Sequence, residues 1–221
     1  MNSEAKFKPV VVFDLGAVLI DWNPRHLYRK LFSDEQEMEY FLSEVCSPAW
    51  NVRQDGGRSF AEAIGSLVDR YPKYRSMIKA YFERWDEMVP GAIEGTVAIL
   101  SELKQHDFTL AALSNWSAET YPKAEQRFEF LTWFDEIVLS GRERHVKPQP
   151  EIYHILLHRL GCSPQDCIFI DDSTPNVEMA AQLGFSAIHF TTPEQLRKDL
   201  VRVHASLSIL TDGSTMVAGS V

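Results

Sequence analysis

Five short apolar runs do most to limit what this chain can fold into: residues 9–15, 109–114, 136–140, 166–171 and 186–190. Their apolar side chains fall on consecutive rather than alternate positions, the pattern of strands buried on both faces of a parallel sheet. Parallel strands need crossovers, and helical periodicity lies between the runs. Residues 95–105 place Val97, Ile99, Leu100 and Leu103 on one helix face, and residues 150–160 repeat the pattern with Ile152, Ile155, Leu156 and Leu160. Residues 176–183 stop at Gly184, a natural C′ glycine, and residues 193–203 follow the last run. Strand and helix alternate, so the expected class is α/β, a doubly wound, Rossmann-like parallel sheet with a five-stranded core.

One interval breaks the alternation. Residues 23–90 hold no good strand, only the helical stretches 24–32, 34–45, 60–71 and 74–85, divided by the turn-rich SPAWNVRQDGGRS of residues 47–59. VPGAIEG supplies a return hinge around Pro90 and Gly91. The expected division is an α/β core of residues 1–22 and 91–205, an inserted helical cap of residues 23–90, and a tail of residues 206–221 that frays.

With 221 residues and 45% apolar side chains, the chain can bury about 70% of its unfolded surface. A net charge of −9 with no basic stripe excludes a nucleic-acid partner, which would require counterion release by clustered lysine and arginine. The first ten residues, MNSEAKFKPV, lack a signal-peptide core, and no run approaches the roughly 20 apolar residues of a membrane span. A cytoplasmic protein without membrane contact is expected. Cys46, Cys162 and Cys167 show neither the even count of a disulfide framework nor Cys-x-x-Cys spacing, and read as packed thiols.

Ligands of an open parallel sheet bind outside the carboxyl ends of its strands. Those ends carry Asp14, then Ser114 and Asn115, then Asp171 and Asp172, with Lys147 in the loop RHVKPQP after the third run. Singly, each is ordinary: a strand-end aspartate is a turn former or helix cap, and a lone lysine is a solvated surface residue. Together they offer three carboxylates, a hydroxyl, an amide and an ammonium, a set suited to a divalent cation with an anion beside it.

The stretches FDLGAVL, LSNWS, KPQPEIY and FIDDSTPNVEMAAQLG resemble the four motifs of the haloacid dehalogenase-like hydrolase superfamily, and the resemblance runs from Val10 to about Leu200. It implies a sheet ordered 5-4-1-2-3 with a helical cap inserted after the first strand. It also implies a magnesium-dependent phosphatase that passes through an aspartyl-phosphate and acts on a small phosphorylated metabolite, as a monomer or homodimer. By the same resemblance Asp14 is the nucleophile, Ser114 and the Asn115 amide bind phosphoryl oxygens, and Lys147 balances charge. Asp14, the Gly16 carbonyl, Asp171 and Asp172 hold Mg2+, and Asn176 orients a carboxylate behind them.

The departure is Gly16. Phosphatases of the superfamily usually carry there a second aspartate that protonates the leaving oxygen, a contribution of about 10²–10⁴ in rate. Three readings accommodate the glycine. One is a phosphatase of the Asp-x-Gly-x-Val branch, resembling the bacterial alpha-D-glucose-1-phosphate phosphatase, in which a water or a cap residue serves as acid. Asp21 is a conceivable substitute there, although a structural role at the cap hinge suits it better. A second is an L-2-haloacid dehalogenase, in which Asp14 attacks carbon without metal; SNW and Tyr153 fit it, but Asp171 and Asp172 do not, because uncompensated acids blunt a nucleophile. The third is a non-catalytic descendant that binds a ligand or partner. For the substrate's non-reacting part the expected contacts are Trp22, at the start of the cap, and Trp50, Asn51 and Arg53 in the long turn.

Overall fold

The computed structural model describes residues 8–211. Its strands are β1 (Val10–Phe13), β2 (Leu110–Ser114), β3 (Glu136–Leu139), β4 (Cys167–Asp171) and β5 (Ser186–His189), all parallel in the order β3-β2-β1-β4-β5. This is the expected order, read from the other edge. The register pairs Val12 with Ala111 on one side and Phe169 on the other, so β1 lies at the centre. Because strand side chains alternate, Val11 and Phe13 enter the core shared with the cap, while Val12 packs with Ile152, Tyr153 and Leu156 beneath the other face. All three β1 side chains are fully buried, each contributing about 1.5–3 kcal/mol, which explains the unbroken apolar run.

The insert is helical, as expected, with α1 (Arg25–Tyr28), α2 (Glu35–Tyr40), α3 (Pro48–Asp55), α4 (Phe60–Arg70) and α5 (Arg75–Glu83). Asp34 caps α2 through the amides of Gln36 and Glu37, and a π turn, Phe41–Val45, continues it. Helix α3 corrects the reading of residues 47–59 as a turn. Ser47 accepts from the Trp50 amide as N-cap, Pro48 occupies the first position where no N–H is needed, and Gly56 ends the helix. The Ser-Pro and Gly-Gly pairs that suggested a loop are the two ends of this short helix. Tyr28, Phe41, Trp50, Phe60 and Tyr81 form the cap interior, continuous with the core on one face of the sheet.

Helices α6 (Glu94–Gln105), α7 (Tyr121–Glu125), α8 (Ser140–Glu143), α9 (Pro150–Leu160), α10 (Thr174–Leu183) and α11 (Pro193–Val203) complete the α/β layers. Gly184 takes the left-handed conformation expected of it, with φ +99°. The tail differs from expectation in its first part: Ala205–Thr211 is a 3-10 turn with Leu207 and Leu210 buried in the main core. Residues 212–221 lie outside the described residues. Among the described residues no helix is long and apolar enough to cross a membrane.

Candidate active site

The strand order brings the carboxyl ends of β1, β2 and β4 side by side, and the polar residues that follow them meet there. Asp14 Oδ1 accepts from the Leu15 amide at 2.7 Å and the Ser114 hydroxyl at 2.7 Å, and lies 3.1 Å from Lys147 Nζ. Oδ2 takes part in none of these bonds. Lys147 is buried and spends its ammonium on Asp14, on Asp171 Oδ2 at 2.6 Å and on the Leu113 carbonyl at 2.6 Å. Burial alone would lower the lysine's pKa, but the two carboxylates outweigh it and the pKa is raised. The Asn115 amide is reciprocally bonded to the Lys147 backbone, accepting its N–H at 2.7 Å and donating to its carbonyl at 3.0 Å, so the loops after β2 and β3 are locked together.

The aspartate doublet splits. Asp171 is fully buried: Oδ1 accepts from the Ser173 amide and from Asn176 Nδ2 at 3.0 Å, while Oδ2 receives Lys147. The carboxylate-orienting contact expected of Asn176 is therefore present. Asp172 is exposed and lines the cavity above Asp14. One oxygen from each of Asp14, Asp171 and Asp172 lies within 4.8 Å of the others. Burial first, then Asp171, raises Asp172; burial, against the pull of Lys147, pushes Asp14 up to about 6. Three acids answered by one ammonium form a donor set that fits a hard divalent cation, whose charge would favour the ionised forms of Asp14 and Asp172.

Above these groups opens a cavity of about 200 Å3, lined on the core side by Asp14, Gly16, Ser114, Asn115, Trp116 and Asp172. Trp22, at the junction of core and cap, joins them, and the cap contributes Asn51, Asp55, Phe60 and Trp85. Trp22 and Asn51, both expected to contact the substrate's non-reacting part, line the cavity, Asn51 from helix α3. Trp50 and Arg53 do not line the cavity: Trp50 fills the cap interior against Phe60 and Tyr81, and Arg53 is exposed. Their places on α3 follow from helical rotation, which a turn assignment does not supply. Asp21 pairs with His26 at 3.1 Å and does not line the cavity, a structural role. Tyr153 is buried on the opposite face of the sheet, its hydroxyl donating to the Asn176 carbonyl at 3.0 Å.

Sequence reasoning passed over Asp55. Its signal was present: it stands one helical turn after Asn51 and directly before Gly56 and Gly57, the stop of a short helix.

The haloacid dehalogenase-like hydrolase family matches residues 11–190. A phosphorylated carbohydrates phosphatase of Thermotoga maritima is 23% identical over 81% of this chain and 83% of its own length. A flavin mononucleotide hydrolase of Arabidopsis thaliana is 31% identical over 53% of this chain, a match that spans only 47% of the relative. Among solved structures, a Bacteroides thetaiotaomicron enzyme in complex with magnesium and inorganic phosphate superposes with a TM-score of 0.66 at 22% identity, covering 84% of this chain and 95% of its own. The L-2-haloacid dehalogenase of Xanthobacter autotrophicus superposes at 0.57 and 17% identity, covering 92% and 87%, so the fold by itself is common to both chemistries. The chain is a hydrolase with phosphatase homologues and belongs to the haloacid dehalogenase-like hydrolase family.

Proposed function

We propose that the protein is a magnesium-dependent phosphatase acting on a small phosphomonoester through an aspartyl-phosphate on Asp14. The observation that carries this reading is the charge of the site: three acids, two of them raised in pKa, face a single lysine. A metal-free attack on carbon would leave that repulsion unanswered. Asp14, Asp172 and the Gly16 carbonyl would hold Mg2+; Asp171, expected as a further ligand, is close enough to the others to join the cluster but is spent on Lys147, Asn176 and the Ser173 amide, and so stands behind them fixing Lys147. When bound, the ion neutralises phosphoryl oxygens so that an anionic nucleophile can approach. Asp14 Oδ2, free of the three contacts that fix Oδ1, attacks phosphorus. Ser114 and the Asn115 backbone amide hold phosphoryl oxygens, and Lys147 steadies the nucleophile's charge.

The rest of the cavity describes the leaving group. Trp22, Phe60, Trp85 and Trp116 supply aromatic faces, Asn51 and Thr120 supply hydrogen-bonding groups, and among the described residues no arginine or lysine lines the wall. A volume of about 200 Å3 is smaller than the about 300–1,000 Å3 of drug-sized sites. A neutral, apolar-faced leaving group such as a sugar fits this lining, in keeping with the resemblance to the alpha-D-glucose-1-phosphate phosphatase branch. A substrate with a second anionic group would find no counter-charge there.

The test is phosphate release from a panel of monophosphates, including glucose 1-phosphate and flavin mononucleotide, alongside halide release from 2-chloropropionate. Each is run with magnesium and with chelator, and Asp14→Asn serves as control. Phosphate release abolished by chelator and by the substitution is expected, with Trp22→Ala raising KM more than it lowers kcat. Halide release that survives chelation would replace this reading with the dehalogenase.

A further inference from the structure

Gly16 leaves the reaction without an acid two residues after the nucleophile, and Asp21, farther along the same loop, does not line the cavity. Three carboxyl groups line the cavity among the described residues, Asp14, Asp55 and Asp172. Two of them belong to the cation cluster. We propose that the third, Asp55, is carried into the cavity by the cap as the general acid that protonates the leaving oxygen and then as the base that activates water. This inference rests on the phosphatase reading above.

The structure holds Asp55 as a catalytic group must be held. It is the last residue of α3, and its carbonyl accepts from the Ser140 hydroxyl at 2.6 Å; that hydroxyl in turn accepts from the Trp116 amide at 2.9 Å. Glu119 receives the Phe60 amide at 2.8 Å, pinning the start of α4 to the core as well. The turn between these two anchors fits closely: a Cβ on Gly57, at φ +95°, would lie 3.2 Å from the Gly141 carbonyl oxygen. The carboxyl group is turned by Asn51, whose Nδ2 donates to Oδ2 at 2.8 Å, and both side chains face the cavity. A cap residue is thus positioned by core contacts on either side of it.

Its protonation state suits the role. Burial pushes Asp55 up to about 8, against hydrogen bonding from the Ser117 backbone, and the charge of Asp14 adds to the rise. Its place at the carboxyl end of α3 also favours the neutral form. Of the charged groups on neighbouring elements, Arg142 lies over the Tyr121 ring, Glu143 pairs with Arg159, Arg58 donates to Gln54, Arg144 lies beside the Gly57 turn, and Glu44 of the π turn is exposed; Asp14 is the charge that acts on Asp55. At neutral pH the group holds the proton that an alkoxide leaving group needs.

The steps balance. As the Asp14 oxygen bonds to phosphorus, the bond from phosphorus to the leaving oxygen breaks, and its electron pair takes the Asp55 proton. Asp55, now a carboxylate, removes a proton from water as the water oxygen bonds to phosphorus. The bond to Asp14 breaks, returning its carboxylate and releasing phosphate, and Asp55 is again protonated.

The experiment is rapid-quench measurement of Asp55→Asn, which preserves shape and the Asn51 contact, with an alkyl phosphate turned over by the unaltered enzyme and with p-nitrophenyl phosphate. Aspartyl-phosphate formation from the alkyl ester should fall by about 10²–10⁴. The nitrophenyl ester, whose leaving group needs no proton, should still give a full burst followed by stalled turnover, and that burst counts competent folded sites. No atom lies within 4 Å of a Cβ built on Gly16, so an aspartate fits there. Gly16→Asp placed on the Asp55→Asn background should restore alkyl-ester turnover at least tenfold. Asp55→Asn forming aspartyl-phosphate from both esters at the unaltered rate, or losing both equally, would overturn the assignment while leaving the phosphatase intact. Absence of Asp14-dependent phosphate release from the unaltered protein would instead overturn the phosphatase reading, and this inference with it.

Discussion

Removing one or the other of two adjacent aspartates should have very different costs. Asp171 is wholly buried and accepts from Lys147, Asn176 and the Ser173 amide, the shortest contact being 2.6 Å to the lysine. Replacing it with alanine strands a buried ammonium that retains only Asp14 and one carbonyl as partners. Breaking a buried pair from one side costs about 3–5 kcal/mol. At about 2–4 °C per kcal/mol for a chain of this size, the melting temperature should drop by roughly 6–20 °C. Asp172 is exposed at the cavity, where partial desolvation and the charge of Asp171 raise its pKa, so its charge is a burden on the metal-free protein. Asp172→Ala should change stability in chelator by no more than about 0.5 kcal/mol in the destabilising direction. The assay is thermal and urea denaturation of both variants in chelator, repeated in magnesium. The unaltered protein should gain stability as the ion is added, and Asp172→Ala should lose that gain. If the two variants lie within about 1 kcal/mol of each other in chelator, the split into a buried support and an exposed cation ligand is refuted.

The raised pKa of Asp55 predicts a pH dependence of stability. In the unfolded chain this carboxyl ionises near its ordinary value of 3.8, whereas the fold retains the proton to about 8. Between those values the folded state binds the extra proton, so its contribution is greatest at low pH and is lost as pH rises through about 8. In chelator, the melting temperature of Asp55→Asn should therefore gain on that of the unaltered protein between pH 5.5 and pH 8.5, and a constant difference would contradict the assignment. Gly141→Ala tests the docking of the cap: its Cβ would lie 2.5 Å from the Ala118 nitrogen and 2.7 Å from the Trp116 oxygen, both backbone atoms. Forced displacement there should cost about 1–3 kcal/mol and lower turnover by shifting α3, measured by denaturation and steady-state kinetics.

The sequence by itself determined the parallel sheet through its inner strands β1, β2 and β4, whose consecutive apolar residues are buried on both faces, whereas the edge strands β3 and β5 are partly exposed. It also placed Asp14, Ser114, Asp171 and Asp172 at the ends of its apolar runs, and the structure brings these four together with Lys147 from the loop after the third run. It could not rank the two aspartates of the doublet: successive residues at a strand end turn to opposite surroundings, and only the packing of Lys147 and Asn176 makes one a buried support and the other an exposed cavity group. For Asp55 the local signal beside Gly56 and Gly57 marks a helix end but not a place in the site. Periodicity over the eight residues of α3 is too short to distinguish helix from loop, and the group's meaning depends on Ser140 and Trp116, more than sixty positions away in the chain. Trp50 and Arg53 were misplaced for the same reason, since a side chain's direction on a helix depends on its rotation against the core. Local chemistry is written along the chain, but the meeting of cap and core is a long-range contact that only tertiary packing decides.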